Sequence, residues 1–70
     1  MPLTMANDGE VVTIRRITGS DAVKQHLAEI GFVIGETVKV ISKNGGNLIL
    51  QVKDGRIALD ASMANRIMIG

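Results

Sequence analysis

The stretch that decides the fold is LAEIGFVIGETVKV, residues Leu27–Val40. Its first half reads as the end of an amphipathic helix, predicted over Asp21–Ile30 with Ser20 as the N-cap. Gly31 is the residue type that ends a helix in the left-handed conformation, and Phe32 is placed to fold back on the last helical turn. Beyond this point apolar and polar residues alternate, which is typical of a strand. The stretch therefore predicts a helix, a tight turn and a strand in succession.

Outward from this stretch, glycine-containing turns separate short apolar segments, a rhythm that indicates several short strands. A bulge or bend is expected at Arg15–Arg16, where Ile17 falls out of phase with the inward-facing Val12 and Ile14. Turns are expected at Lys43–Asn47 and Asp54–Gly55, with a 3₁₀ turn over Ala61–Asn65. The predicted strands are Glu10–Ile17, Thr37–Ser42, Leu48–Val52, Arg56–Asp60 and Arg66–Ile69.

A small sheet with one apolar face closes most economically on itself. The expected fold class is mainly β: a small, partly open SH3-like barrel of about five strands, with one short α-helix after the first strand. At 70 residues the chain is expected to form a single domain over residues 1–70. Its core must be aliphatic, because 46% of the residues are hydrophobic and Phe32 is the only aromatic one.

Composition and hydropathy also indicate the cellular compartment and exclude cysteine-based bonds and metal sites. The absence of cysteine excludes disulfides and thiolate metal sites. The first ten residues lack the basic and apolar runs of a signal peptide, and no window approaches the roughly 20 apolar residues of a membrane helix. We therefore expect a cytoplasmic protein without direct membrane insertion.

No set of residues has the arrangement that a catalytic site requires. Ser20, Asp21 and His26 lie on one helix turn and its cap, where nothing would arrange them around a substrate. The Gly45–Gly46 pair precedes a strand, whereas a phosphate cradle needs a helix N-terminus. The sequence therefore predicts no catalytic residues and no enzymatic activity.

For a metal, the candidate ligands are His26 and Glu29, which are neighbours on a helix at spacing i, i+3. A tight site needs three or four ligands, and no second histidine is available. His26 can equally lie at the edge of the apolar stripe and stay hydrated. No cofactor is expected, and a metal that bridges two molecules is left open.

For a macromolecular partner, the basic residues are scattered between the predicted elements, and aromatic residues for base stacking are missing. Nucleic acid is therefore not an expected partner, and most basic residues are expected on a solvated outer face. Five residues remain as candidates for contact with a partner protein. The pair at the predicted bend could meet an acidic partner, and three helical residues point away from the apolar stripe: Arg15, Arg16, Lys24, Gln25 and Ala28.

At the helix exit the sequence resembles the signature of the ferrous iron transport protein A (FeoA) family. That signature has a leucine, two variable positions, an apolar residue, Gly-Phe, two variable positions and a glycine, carried here by Leu27, Gly31, Phe32 and Gly35. Further similarities lie at Pro2–Leu3 and Gly9, at Gly55–Leu59, at Ser62–Ala64, and at Ile67 and Ile69. The family usually has proline where this chain has Ile34.

The resemblance implies an SH3-like domain, similar also to the C-terminal domain of iron-dependent (DtxR-type) regulators. It implies an accessory protein of ferrous iron uptake that binds the cytoplasmic part of FeoB, a membrane transporter with a GTPase domain. Such a protein would reach the inner face of the membrane through this partner. An alternative is a domain that senses or binds a transition metal, in which His26, Glu29 and Asp21 would coordinate a ferrous ion. An open barrel edge leaves a homodimer open as well.

Overall fold

The computed structural model describes residues 1–70 and contains five strands and three short helices. In chain order the elements are a 3₁₀ helix (Leu3–Met5), β1 (Val11–Ile17), α1 (Asp21–Glu29), β2 (Thr37–Asn44), β3 (Asn47–Val52), β4 (Gly55–Asp60), α2 (Ala61–Ala64) and β5 (Ile67–Ile69).

The strands form one antiparallel sheet in the order β4-β3-β2-β1-β5. Two register shifts bend it, one in β1 between Ile14 and Arg16 and one in β2 between Val40 and Ser42. The first confirms the predicted bulge at the arginine pair. Because a bulge reverses the alternation of side chains, Ile14 is buried and Ile17 still packs against the core. The expected fold class, mainly β with one helix after the first strand, is confirmed.

The helix α1 begins and ends as its sequence predicts, within one residue. Ser20 Oγ accepts a hydrogen bond from the Val23 N–H at 3.3 Å, which caps the N-terminus. At the other end the Gly31 N–H bonds Ala28 O at 3.0 Å and the Phe32 N–H bonds Leu27 O at 2.9 Å. These two bonds form a Schellman motif, with Gly31 at φ 108°.

The core beneath the sheet is entirely apolar. Phe32, Leu27 and Leu50 are fully buried, and no polar or charged residue is buried. Phe32 at position C″ and Leu27 at C3 are the apolar pair that commonly accompanies a Schellman motif. The remaining buried residues are aliphatic and come from every strand, from the N-terminal segment and from α2.

Both hairpin turns differ from the prediction. The first is a two-residue turn, Gly45–Gly46, with φ 57° and 87°, so β2 and β3 extend further than expected. Two positive φ values match the twist of adjoining strands, which allows this tighter connection. In the second, Gly55 pairs with Val52 and belongs to β4, so the turn lies at Lys53–Asp54, one residue earlier than predicted.

The predicted 3₁₀ turn over Ala61–Asn65 is wrong, because α2 is a single turn of α-helix. Asp60 Oδ1 accepts a hydrogen bond from the Met63 N–H at 2.8 Å, and the Asn65 N–H bonds Ala61 O at 2.9 Å. The carboxylate cap supports the wider i to i−4 bonding of an α turn.

The N-terminal segment was not predicted to be structured, yet it completes the core. Leu3 and Ala6 are fully buried. The Ile69 N–H bonds Met1 O at 2.7 Å, and Pro2 forms a bridge with Met68. These contacts cover the outer edge of β5.

Candidate functional site

The outward face of α1 carries three of the residues predicted to meet a partner. Lys24, Gln25 and Ala28 are exposed, whereas Leu27 on the opposite face is fully buried. The exposure of these three residues follows from the single apolar stripe of the helix. Their role in binding stays a prediction.

The loop after α1 presents two apolar side chains that the sequence reasoning did not select. Ile34 is 68% exposed and Val33 is 40% exposed. The loop is held firmly: the Gly35 N–H bonds Ile14 O at 2.8 Å, and the Ile14 N–H bonds Glu36 O at 2.9 Å. The only sequence signal for this position was the departure from the family's proline at Ile34.

We refer to Lys24, Gln25, Ala28, Val33 and Ile34 as the helix–loop surface. Helix and loop are continuous in the chain, and the Schellman motif fixes the angle between them. The surface therefore joins an exposed helix face to an exposed apolar loop through a turn whose backbone is fixed.

The arginine pair lies elsewhere, at the bulge of β1. Arg15 and Arg16 are both exposed, and the Arg15 side chain lies over Gly70, where an added Cβ would be 2.6 Å from Arg15 Cγ. The ion pair in the structure, Lys53 Nζ to Glu36 Oε1 at 4.0 Å, involves neither arginine. No side-chain hydrogen bond or ion pair joins the arginines to α1.

The candidate metal ligands do not form a complete site within the chain. His26 and Glu29 are exposed on α1, and Asp21 is exposed in its first turn. No group of three or more histidine, cysteine, aspartate or glutamate side chains is close enough to hold one ion.

Ser20, which was considered with Asp21 and His26 as a catalytic set, caps α1. Its hydroxyl accepts the hydrogen bond from the Val23 N–H, and the surface has no pocket beside it. None of the helices is long and apolar enough to cross a bilayer.

Comparison with known proteins identifies the family. The FeoA domain profile matches residues 1–70. The chain belongs to the FeoA domain family. A Methanocaldococcus jannaschii protein, provisionally named Fe(2+) transport protein A, is 34% identical over 68 residues, which is 97% of this chain and 83% of that protein. The resemblance predicted from the helix exit is therefore confirmed.

Solved structures agree with this assignment. FeoA of Stenotrophomonas maltophilia, crystallised with zinc and described as an SH3 domain protein, is 30% identical with a TM-score of 0.86, covering 100% of this FeoA chain and 89% of that one. A second FeoA, described as an iron uptake regulatory protein, is 28% identical with a TM-score of 0.90 over 99% and 92% of the two chains.

The same fold occurs within larger regulators. A manganese-dependent transcriptional repressor matches 99% of this FeoA chain over 40% of its own length, with a TM-score of 0.89 and 19% identity. At this identity the similarity concerns the fold alone. In fold it agrees with the predicted similarity to the SH3-like C-terminal domain of iron-dependent (DtxR-type) regulators, here in a regulator that depends on manganese.

In this FeoA chain the family signature builds the support of the helix–loop surface. Leu27 and Phe32 are buried beneath it, and Gly31 and Gly35 have φ 108° and 92° where the chain reverses. The signature therefore accounts for the shape of the loop, and Ile34 is the variable side chain that this loop displays.

Proposed function

We propose that this FeoA chain is a non-enzymatic accessory protein of ferrous iron uptake that binds the cytoplasmic part of a FeoB-type membrane GTPase transporter. The observation that carries the proposal is the FeoA domain match over residues 1–70. The names of its relatives support the process: Fe(2+) transport protein A in M. jannaschii, and a candidate ferrous iron transport activating factor in S. maltophilia.

The helix–loop surface is the docking site that we propose for this partner. Ile34 offers a large exposed apolar side chain, and Lys24 and Gln25 add exposed polar side chains on α1, so that apolar and polar contacts are both available to a partner protein. The two backbone bonds between the loop and Ile14 keep this side chain in place before binding. Less conformational entropy is then lost when the partner binds.

The proposal predicts that the tagged protein recovers the transporter from membranes of anaerobic, iron-limited cells. Ile34→Asp should abolish recovery, because a carboxylate cannot be buried in an apolar contact without a large desolvation cost. Met5→Asp is the matched control, since Met5 is 64% exposed and lies outside the helix–loop surface. Failure of the unchanged protein to recover the transporter would overturn the proposal.

A second experiment tests whether the arginine pair takes part. Charge reversal of Arg15 and Arg16 to glutamate should weaken recovery if an acidic region of the transporter lies against the β1 bulge, and the effect should shrink at high salt. Unchanged recovery would restrict docking to the helix–loop surface.

The competing function is direct binding of ferrous ion, favoured by the zinc found with the S. maltophilia relative. His26 and Glu29 supply only two ligands, and Asp21 completes no group of three with them. We therefore expect anaerobic calorimetry with ferrous ion to give binding weaker than about 1 mM, since tight sites use three or four protein ligands. Micromolar binding that is lost in His26→Ala would establish the competing function instead.

A further inference from the structure

The strand β4 ends the sheet and leaves one edge unpaired. It pairs with β3 on one side, and no bridge reaches its other side. At the opposite end of the sheet, the β5 edge is covered by Met1 and Pro2. The edge of β4 is therefore the place where the sheet can be extended.

The hairpin register shows which backbone groups face outward from this edge. Val52 and Gly55 flank a two-residue turn and so exchange hydrogen bonds with each other. The bond from the Ala61 N–H to Gly46 O, 2.8 Å, continues the same alternation at the other end of the strand. Residues between the bonded positions point their backbone groups away from β3, and all of them are exposed: Arg56, Ala58 and Asp60.

These three residues form a self-complementary sequence of charges. Arg56 is positive, Ala58 is small and neutral, and Asp60 is negative. We propose that β4 pairs antiparallel with β4 of a second copy of this chain, around a two-fold axis at Ala58. In this register each Arg56 lies opposite Asp60 of the other copy, on the same face of the joined sheet.

Charge selects this register over the alternatives. Centring the pair on Arg56 sets two arginines opposite each other, and centring it on Asp60 sets two aspartates opposite each other. A slip of two residues leaves the charges without opposite partners, and a slip of one exchanges the faces of the strand. Only the Ala58-centred arrangement brings both opposite-charge pairs together.

The neighbours of the edge are compatible with this approach. Gly55 lies opposite Ala61 of the second copy, at the start of α2, where a larger side chain would crowd the helix. On the inner face, the half-buried Ile57 comes next to Leu59 of the second copy. The three residue pairs of this register offer about six backbone hydrogen bonds between the copies. The Asp60 carbonyl of each copy already accepts the first bond of α2, so about four of the six form.

The dimer is expected to be weak. One strand pair buries less than the roughly 1,000 Å² of a stable interface, so Kd should be on the order of 10⁻⁴ to 10⁻³ M. Sedimentation equilibrium from about 50 μM to about 2 mM brackets this range. A protein that remains monomeric throughout would overturn the proposal.

Replacing each of two alanines by glutamate shows where the copies meet. Ala58→Glu places two carboxylates at the axis and should abolish dimerisation, whereas Ala28→Glu makes the same change at an exposed position on α1 and should leave it intact. Arg56→Glu should also give a monomer, because each end of the pair then has two acidic side chains. Mixing Arg56→Glu with Asp60→Arg, after thermal unfolding has confirmed that both variants fold, should restore a heterodimer.

Cross-linking gives a test that does not weaken the edge. The chain has no cysteine, so Ala58→Cys introduces a single thiol at the two-fold axis. The Cα atoms of residue 58 in the two copies would be about 5.5 Å apart. A short bismaleimide should link this variant to itself and leave Ala28→Cys monomeric. A dimer that survives Ala58→Glu, or equal cross-linking of both cysteine variants, would show that the copies associate elsewhere.

Discussion

At the residue scale, Gly31 shows why residues other than glycine are disfavoured at the end of α1. Its φ is 108°, and a Cβ there would be 3.5 Å from Val52 Cγ1, an ordinary contact. Space is therefore available, and the backbone conformation is what excludes other residues. Left-handed φ costs an L-residue about 1–2 kcal/mol.

Gly31→Ala should accordingly lower the free energy of unfolding by about 1–2 kcal/mol, and Gly31→Val by more, because a branched side chain tolerates positive φ poorly. Gly55→Ala is the matched control: Gly55 does not have positive φ, and an added Cβ meets nothing within 4 Å. Its effect should stay within about 0.5 kcal/mol in chemical denaturation. Equal losses in both variants would contradict this account of the helix end.

Lys53 presents the reverse situation, a side chain where glycine would fit better. It is the one non-glycine residue with positive φ, 53°, and its ion pair at 4.0 Å joins the exposed lysine to the half-buried Glu36. Lys53→Gly should raise the free energy of unfolding by roughly 0.5–1 kcal/mol, since the relieved strain exceeds the added backbone entropy and the small loss of the pair.

The control at the same position is Lys53→Val, which removes the same ion pair and keeps the strain. It should lower the melting temperature where Lys53→Gly raises it. A lower melting temperature for both variants would mean that the ion pair outweighs the backbone conformation.

At the scale of elements, local sequence signals predict the bounds of α1 accurately and the positions of the hairpin turns less well. Ser20, Gly31 and Phe32 act within a few residues of the helix they bound, so their roles could be predicted from sequence. The Asp54–Gly55 pair was misleading, because the register of β3 and β4 moved the turn onto Lys53–Asp54. The covering of β5 by the N-terminal segment joins residues 68 positions apart, which no local pattern reveals.

The N-cap of α1 is a direct test of the local signals. Ser20→Ala removes the acceptor for the Val23 N–H and should lower the free energy of unfolding by about 1 kcal/mol. Ser20→Asp keeps an acceptor oxygen and adds a favourable charge at the helix N-terminus, so its stability should stay close to that of the unchanged protein. Thermal unfolding of the three proteins checks this order, and an unaffected Ser20→Ala would show that the cap carries little of the stability.

At the scale of the whole molecule, a core with a single aromatic residue decides how the barrel can recognise partners. Phe32 is fully buried and the chain has no Tyr or Trp, so no phenyl, phenol or indole ring is left for a proline-rich peptide or a nucleic acid base. The exposed features proposed or considered for contact are instead an apolar loop, a helix face, an arginine pair and a strand edge. The helix face and the arginines could be selected from sequence, because charge and periodicity mark them. Ile34 and the β4 edge could not, because their exposure depends on how distant strands pair.

The two proposed contacts use different residues of the same rigid barrel, and this separation is itself testable. The helix–loop surface depends on an apolar side chain, and the β4 edge on backbone bonds and two ion pairs. Ala58→Glu should therefore abolish the dimer and leave recovery of the transporter unchanged, while Ile34→Asp should do the opposite.

Salt should separate the two contacts further. Raising NaCl from about 0.05 to about 0.5 M should weaken the dimer by screening the Arg56–Asp60 pairs, and should affect docking through Ile34 much less. Sedimentation and membrane recovery on the same preparations measure both. If Ala58→Glu also loses the transporter, the dimer is the form that binds, and the two surfaces then act as one site spread over two copies.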